Sequence, residues 1–218
     1  MVVIIKSLEV EYVSSTSGDK DLEILIHTSN RGFNRMGHID IYFDGKVISY
    51  GNYDEGSRRF KDFFGDGVLF ITDKRDEYIN FCIDNSKKTL FTFGISLTKK
   101  QKEQVQKRIA ELIDNTFLWD YQSDKKYNNG SSYAAKLYKK TKASFYKFKK
   151  GKYKTYFILG TNCCFLADDI IGCSGMDILS INGIITPGTY YDYLNRFLGL
   201  KNSNVVSKDI YNSDHRAG

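Results

Sequence analysis

The chain has 218 residues, 41% of them hydrophobic, a single proline and no stretch rich in Pro, Gly or Ser, which calls for one compact domain over 1–200 followed by a polar tail at 201–218. The 32 basic and 26 acidic residues leave a formal charge of +6, and no run approaches the roughly 20 apolar residues that a membrane span needs. Met1 to Ile5 is apolar but Lys6 interrupts it too early for a signal peptide, so a soluble chain, cytoplasmic by default, is expected.

In chain order, Leu22 to Thr28 alternates, with Leu22, Ile24 and Ile26 on one face and Glu23, Leu25 and His27 on the other, as a strand does. His38 to Phe43 and Lys46 to Tyr50 flank Asp44-Gly45, which predicts a hairpin closed by a type I′ turn. Val68 to Thr72 and Thr89 to Leu97 are further strands, and Asp76 to Ser86 is a helix with Tyr78, Phe81 and Cys82 inward. Thr98 and Gln101 stand at capping-box spacing before a helix whose stripe is Val105, Ile109, Leu112 and Ile113. Tyr153 to Leu159 reads as a strand. Thr186-Pro187 opens a last helix through Tyr190, Tyr193, Leu194 and Phe197 to Gly199. The fold class expected is α+β, an antiparallel sheet flanked by helices.

The aromatic content is concentrated in 16 Tyr and 15 Phe, many of them interleaved with lysines between Tyr127 and Tyr156, where most of the net charge also lies. Such alternation describes an amphipathic strand with one wet face. It also describes a basic, Tyr-rich face that neutralises and stacks on a polyanion such as single-stranded nucleic acid, or meets an anionic polymer or surface.

Reactive chemistry points elsewhere. Asn162 is a good N-cap residue, Gly160 permits a tight turn out of the preceding strand, and Leu166 to Ile171 continues as an apolar-periodic helix closed by Gly172. Cys163 then occupies the first helical position, where unpaired amides and the positive end of the helix dipole favour thiolate over thiol. Cys164 is the alternative nucleophile, but Cys163 sits three and four residues before Leu166 and Ala167, at the edge of the packed stripe.

A thiol nucleophile needs a base, and the chain has only His27, His38 and His215. His38 begins a hairpin strand, a rigid place from which to present an imidazole to a facing helix end. His27 ends an alternating strand and is the runner-up base, its ordinary role being a strand-end or surface histidine. His215 lies in the polar tail and is discounted. Cys82, Cys163, Cys164 and Cys173 show no paired Cys-x-x-Cys spacing for zinc, and they are too few for a disulfide framework. Nucleophilic chemistry by a thiol and a base calls for neither metal nor cofactor.

Gly37-His38-Ile39-Asp40-Ile41-Tyr42, with Val47-Ile48-Ser49 after the turn, resembles the histidine hairpin of NlpC-type cell-wall peptidases. Histidine first and an Asn-Cys helix later resembles the circularly permuted branch of that papain-like superfamily, which includes lecithin retinol acyltransferase-like enzymes. The likeness covers roughly Arg35 to Asn52 and Leu159 to Gly172. It implies a permuted papain-like fold and a thiol hydrolase or acyltransferase, with Cys163 as nucleophile and His38 as base. Substrates would be a peptide, a cell-wall peptide or a lipid acyl group. The position that orients the histidine in such proteins falls at Ser49, where many relatives have His, Asn or Gln, and Asn52 and Asp54 are the alternatives.

Overall fold

The computed structural model describes residues 11–12, 19–28, 37–86, 89–121, 132–175 and 186–212. In chain order these form β1 (Glu11–Tyr12), β2 (Leu22–Thr28), β3 (His38–Phe43), β4 (Lys46–Gly51), β5 (Phe64–Asp66), β6 (Val68–Thr72), α1 (Arg75–Ser86) and β7 (Thr89–Ile95). There follow α2 (Lys99–Asp114), β8 (Thr116–Leu118), α3 (Tyr133–Thr141), β9 (Ser144–Phe148), β10 (Thr155–Phe157), α4 (Cys163–Gly172), α5 (Pro187–Phe197) and β11 (Val205–Tyr211). The class is α+β.

Nine strands form one antiparallel sheet in the order β1-β11-β7-β2-β3-β4-β6-β9-β8, and β10 pairs with β5 as a separate ribbon. Asp44 and Gly45 take φ of 49° and 73°, the left-handed pair that a type I′ turn requires, and so set the register Asp40 opposite Ser49 between β3 and β4. Across the other edge of β3, His27 pairs with His38. One core packs Ile24, Ile39, Ile41 and Ile48 against α2, α4 and α5 through Val105, Leu166, Ile170, Tyr190 and Leu194. The other packs Leu25, Val47 and Phe70 against α1 and α3 through Tyr78, Ile79 and Leu137. Full burial of each of Leu166, Ile170 and Ile171 on α4 contributes roughly 1.5–3 kcal/mol, so the helix is fastened to the sheet by its apolar stripe.

The N-caps follow the sequence closely, whereas Gly172, expected to close α4, is its last helical residue and Cys173 is the C-cap in the right-handed region. Thr98 closes a capping box with Gln101, Thr186 closes another with Thr189 around Pro187, and Asn162 accepts from the Phe165 amide at the start of α4.

Three further expectations are corrected. The strand expected over Tyr153 to Leu159 is shorter: residues 152–154 form a 3-10 turn, and after Phe157 the Phe157 amide donates to Thr161 O, folding 158–161 into a tight loop. Gly160 is needed there for space, since a Cβ would lie 2.8 Å from the Phe157 ring. The Lys- and Tyr-rich stretch is not one strand. Its described part holds α3, whose Lys142 ends the helix at φ 54°, and β9, which buries Phe145 and Phe148 while Lys147 pairs with Asp54 and Asp66.

The polar stretch 201–218, expected as a tail, contains β11, an inner strand of the sheet between β1 and β7. Its two buried charged residues are matched by neighbours: Lys208 Nζ bonds to Tyr191 Oη and Asn195 Oδ1 and lies over the Phe91 and Phe93 rings, and the Asp209 carboxylate meets Lys20 and Thr92. His215 lies outside the described residues. Among the described residues, no helix is long and apolar enough to cross a membrane.

Candidate active site

Strand alternation puts His38, Asp40 and Tyr42 on the face covered by α1 and α3, while Ile39, Ile41 and Phe43 face α4. Because His38 is the first residue of β3, its ring stands at the end of the sheet, where it meets the start of α4 across the strand end. The Cys163 thiol stands near enough to the His38 imidazole for each to shift the other's ionisation, and the Ile39 backbone acts on the same sulfur. All four described cysteines are free thiols.

One ring nitrogen has a dense set of neighbours. His38 Nε2 lies 2.9 Å from Ser49 Oγ and 2.8 Å from Tyr53 Oη, which are themselves 2.6 Å apart. Asp40 Oδ1 is also 2.9 Å from Nε2, but it makes no well-directed hydrogen bond, so this is a contact of charge rather than of direction. Asp40 Oδ2 accepts from the Tyr78 hydroxyl at 2.6 Å and lies 2.9 Å from His27 Nε2.

Electrostatics divide the two cysteines. The adjacent Cys164 thiol, the His38 charge and the Ile39 backbone hold the Cys163 thiol well below the usual range, although burial opposes this. The Cys164 thiol is pushed up by the Cys163 sulfur beside it and by burial. On His38, burial works to lower the pKa, and the Asp40 carboxylate followed by the Cys163 sulfur overcome it and raise the pKa well above its ordinary value. Asp40 itself is held far down: burial opposes ionisation, but the His38 charge and the His27 hydrogen bond outweigh it. Tyr53 and Tyr78 are raised by burial and by Asp40, so both hydroxyls keep their protons.

No family model, no curated protein and no solved structure matches this chain. Its chemistry is therefore read from its own residues.

Cys163, His38 and Ser49, singled out in the sequence, stand together. The two alternatives to Ser49 are engaged elsewhere: Asp54 caps the 3-10 turn at Gly56 and Ser57 and pairs with Lys147, and Asn52 Nδ2 reaches the Asp62 and Phe64 carbonyls. His27 stands near the end of β2, one of its two expected places, but it is buried against Asp40 rather than at the surface. Asp40, Tyr53 and Tyr78 were missed. The signal for Asp40 was its position two residues after His38, which in a strand means the same face. A cleft of about 230 Å³ opens beside the imidazole, lined by His27, His38, Asn52, Tyr53, Arg58, Tyr78 and Tyr133. Cys163 is only 4% exposed and does not line it.

Proposed function

We propose that this chain is a thiol hydrolase or acyltransferase that cleaves an amide, as in a peptide or cell-wall peptide, or an ester, on a permuted papain-like scaffold. The observation that carries the reading is the packing of α4, which opens at the Asn162-capped Cys163, on β3, which opens at His38, with the thiol shifted down and the imidazole up by their mutual charge. Such opposed shifts describe a thiolate–imidazolium pair at neutral pH, a nucleophile that is already deprotonated. The permuted order is supported by the histidine hairpin preceding the Asn-Cys helix, and by the packing of α4 on β3 and β4.

In the proposed reaction the Cys163 thiolate adds to the substrate carbonyl carbon, and the carbonyl π electrons move to oxygen. The first amides of a helix have no intrahelical acceptor, and those at the start of α4, beginning with Cys163, meet the oxyanion. As the tetrahedral intermediate collapses, the C–N or C–O bond breaks and the His38 imidazolium gives its proton to the departing amine or alcohol. Neutral His38 then takes a proton from water or another acceptor, which attacks the thioester and releases the acyl product with the thiolate restored. Ser49 and Tyr53 hold the ring by Nε2, and the Asp40 charge favours its protonated form. Asp40 acts through His38 and is a positioning residue.

The test is acyl trapping. After brief exposure to a p-nitrophenyl acyl ester, intact-protein mass should increase by one acyl group, located on Cys163, in the native protein and not in Cys163→Ala. Equal ester turnover by native protein and Cys163→Ala, with no adduct, overturns the reading.

A further inference from the structure

The ribbon of β5 and β10 carries a feature that acyl transfer does not use. Arg59 and Phe64 bridge each other through Arg59 N to Phe64 O at 2.9 Å and Phe64 N to Arg59 O at 3.3 Å, closing a four-residue tip of Phe60, Lys61, Asp62 and Phe63. Three consecutive residues of that tip are left-handed, with φ of 50°, 54° and 71°, a backbone that Phe and Lys rarely adopt. The result is a phenylalanine held outward: Phe60 is 79% exposed and Phe63 is 44% exposed, and Arg58, Arg59 and Lys61 around them are exposed too.

The tip is tied to its surroundings. Ile158 N donates to Phe63 O, which places the half-exposed Leu159 beside the ribbon, and the Asn162 side chain that caps α4 donates to Ile158 O. Arg58 donates to Asn52 O, and both line the cleft at His38. A cationic, aromatic tip therefore stands between the cleft and the start of α4.

We propose that the tip at Arg58 to Phe63, together with Leu159, docks on an anionic lipid surface. An apolar side chain exposed on a narrow turn has no facing groove of its own, and a bilayer accepts it without one, because the acyl region imposes no shape. The three basic groups against one Asp62 match a negative headgroup layer. A second copy of the chain fits poorly, since a two-fold contact centred on the tip would bring the Arg59 and Lys61 charges of the two copies together. Two or three apolar anchors and a small net charge give reversible attachment that depends on both terms. The docking is independent of the acyl-transfer reading and stands or falls without any turnover.

Sedimentation with vesicles tests it, using phosphatidylcholine alone and phosphatidylcholine mixed with phosphatidylserine. The native chain should sediment with the mixed vesicles, much less with neutral ones, and be released by salt. Phe60→Ser with Phe63→Ser should lower partitioning by roughly tenfold or more, as loss of two buried aromatic anchors requires. Arg59→Gln and Lys61→Gln should lower it roughly fivefold each on anionic vesicles only. Circular dichroism on each variant establishes the fold, and Phe60→Trp supplies a second readout, a blue shift in emission on adding mixed vesicles. The proposal is overturned if the native chain ignores mixed vesicles, if the double serine variant binds them equally, or if the tip instead holds a dimer that this variant dissociates.

Discussion

His27 and His38 face each other across the β2–β3 register, ring centroids 5.9 Å apart, and both contact the one buried carboxylate of Asp40. The Tyr78 hydroxyl and His27 hold that carboxylate in place beside the His38 ring, where its charge favours the protonated imidazole, while Ser49 and Tyr53 direct the ring. Asp40→Asn should therefore lower turnover on the order of 10–100-fold, and Ser49→Ala by less. Steady-state rates for the two variants, with circular dichroism as the control for folding, decide the order. An Asp40→Asn rate at or above that of Ser49→Ala removes Asp40 from the positioning role.

Thiol reactivity should run against exposure. Cys173 is the most exposed of the four thiols, yet burial and nearby acidic groups raise its pKa, whereas buried Cys163 is shifted down. Limiting iodoacetamide near pH about 6 should label Cys163 first, and only at alkaline pH should Cys173 compete. Peptide mapping reads both. Preference for Cys164 would move the nucleophile by one residue, and native protection of Cys163 at every pH argues for a structural thiol.

Removal of the His38 imidazole should be visible in the titration of Cys163. In His38→Ala the Cys163 pKa should rise toward the ordinary thiol value near about 8.5, though the adjacent Cys164 thiol, the Ile39 backbone and the helix start remain. Thiolate absorbance against pH, with Cys163→Ser as blank, measures the shift. An unchanged titration means that the two side chains are not an acid–base pair.

Acid stability should depend on Tyr78. Asp40 has a folded pKa below its unfolded value, so it contributes stability that is present above the unfolded pKa of about 3.9 and is lost as pH falls through the folded one. Tyr78→Phe removes a hydrogen bond to that carboxylate, which costs about 1.5–3 kcal/mol at neutral pH. It also raises the folded Asp40 pKa, so the acid-unfolding midpoint should move to higher pH. Denaturant melts from neutral to acid pH give both values, and identical acid midpoints for the two proteins would refute the linkage.

The cap on α4 should couple stability to reactivity. Asn162→Ala removes the bonds to the Phe165 amide and the Ile158 carbonyl and should cost about 1 kcal/mol. Cys163 alkylation at acidic pH should slow with it, whereas Asn162→Asp, which keeps an acceptor for Phe165, should retain most of the stability. Unaltered alkylation in Asn162→Ala would separate the cap from the thiolate.

Local rules carried a large part of this protein in its sequence. Asp44-Gly45, the Thr98 and Thr186 boxes, and Asn162 before Cys163 are each settled by a few neighbouring residues, because turns and caps satisfy backbone groups at fixed short spacing. The nearness of Cys163 to His38 could be anticipated from a scarcity of histidines and a helix start, and Ser49 beside the imidazole from the hairpin. The buried charges around that ring could not. Asp40 and His27 alternate onto the face of β2 and β3 that a lone hairpin leaves wet, and only the docking of α1 and α3 on that face buries them and makes their mutual hydrogen bonds obligatory. The strand at Val205–Tyr211 was hidden for the same reason: Lys208 and Asp209 look like surface residues until Tyr191, Asn195, Lys20 and Thr92, all distant in the chain, arrive to satisfy them. Spacing along a chain can specify what each backbone segment becomes, whereas the burial of a charge is decided only by the partners that tertiary packing brings to it.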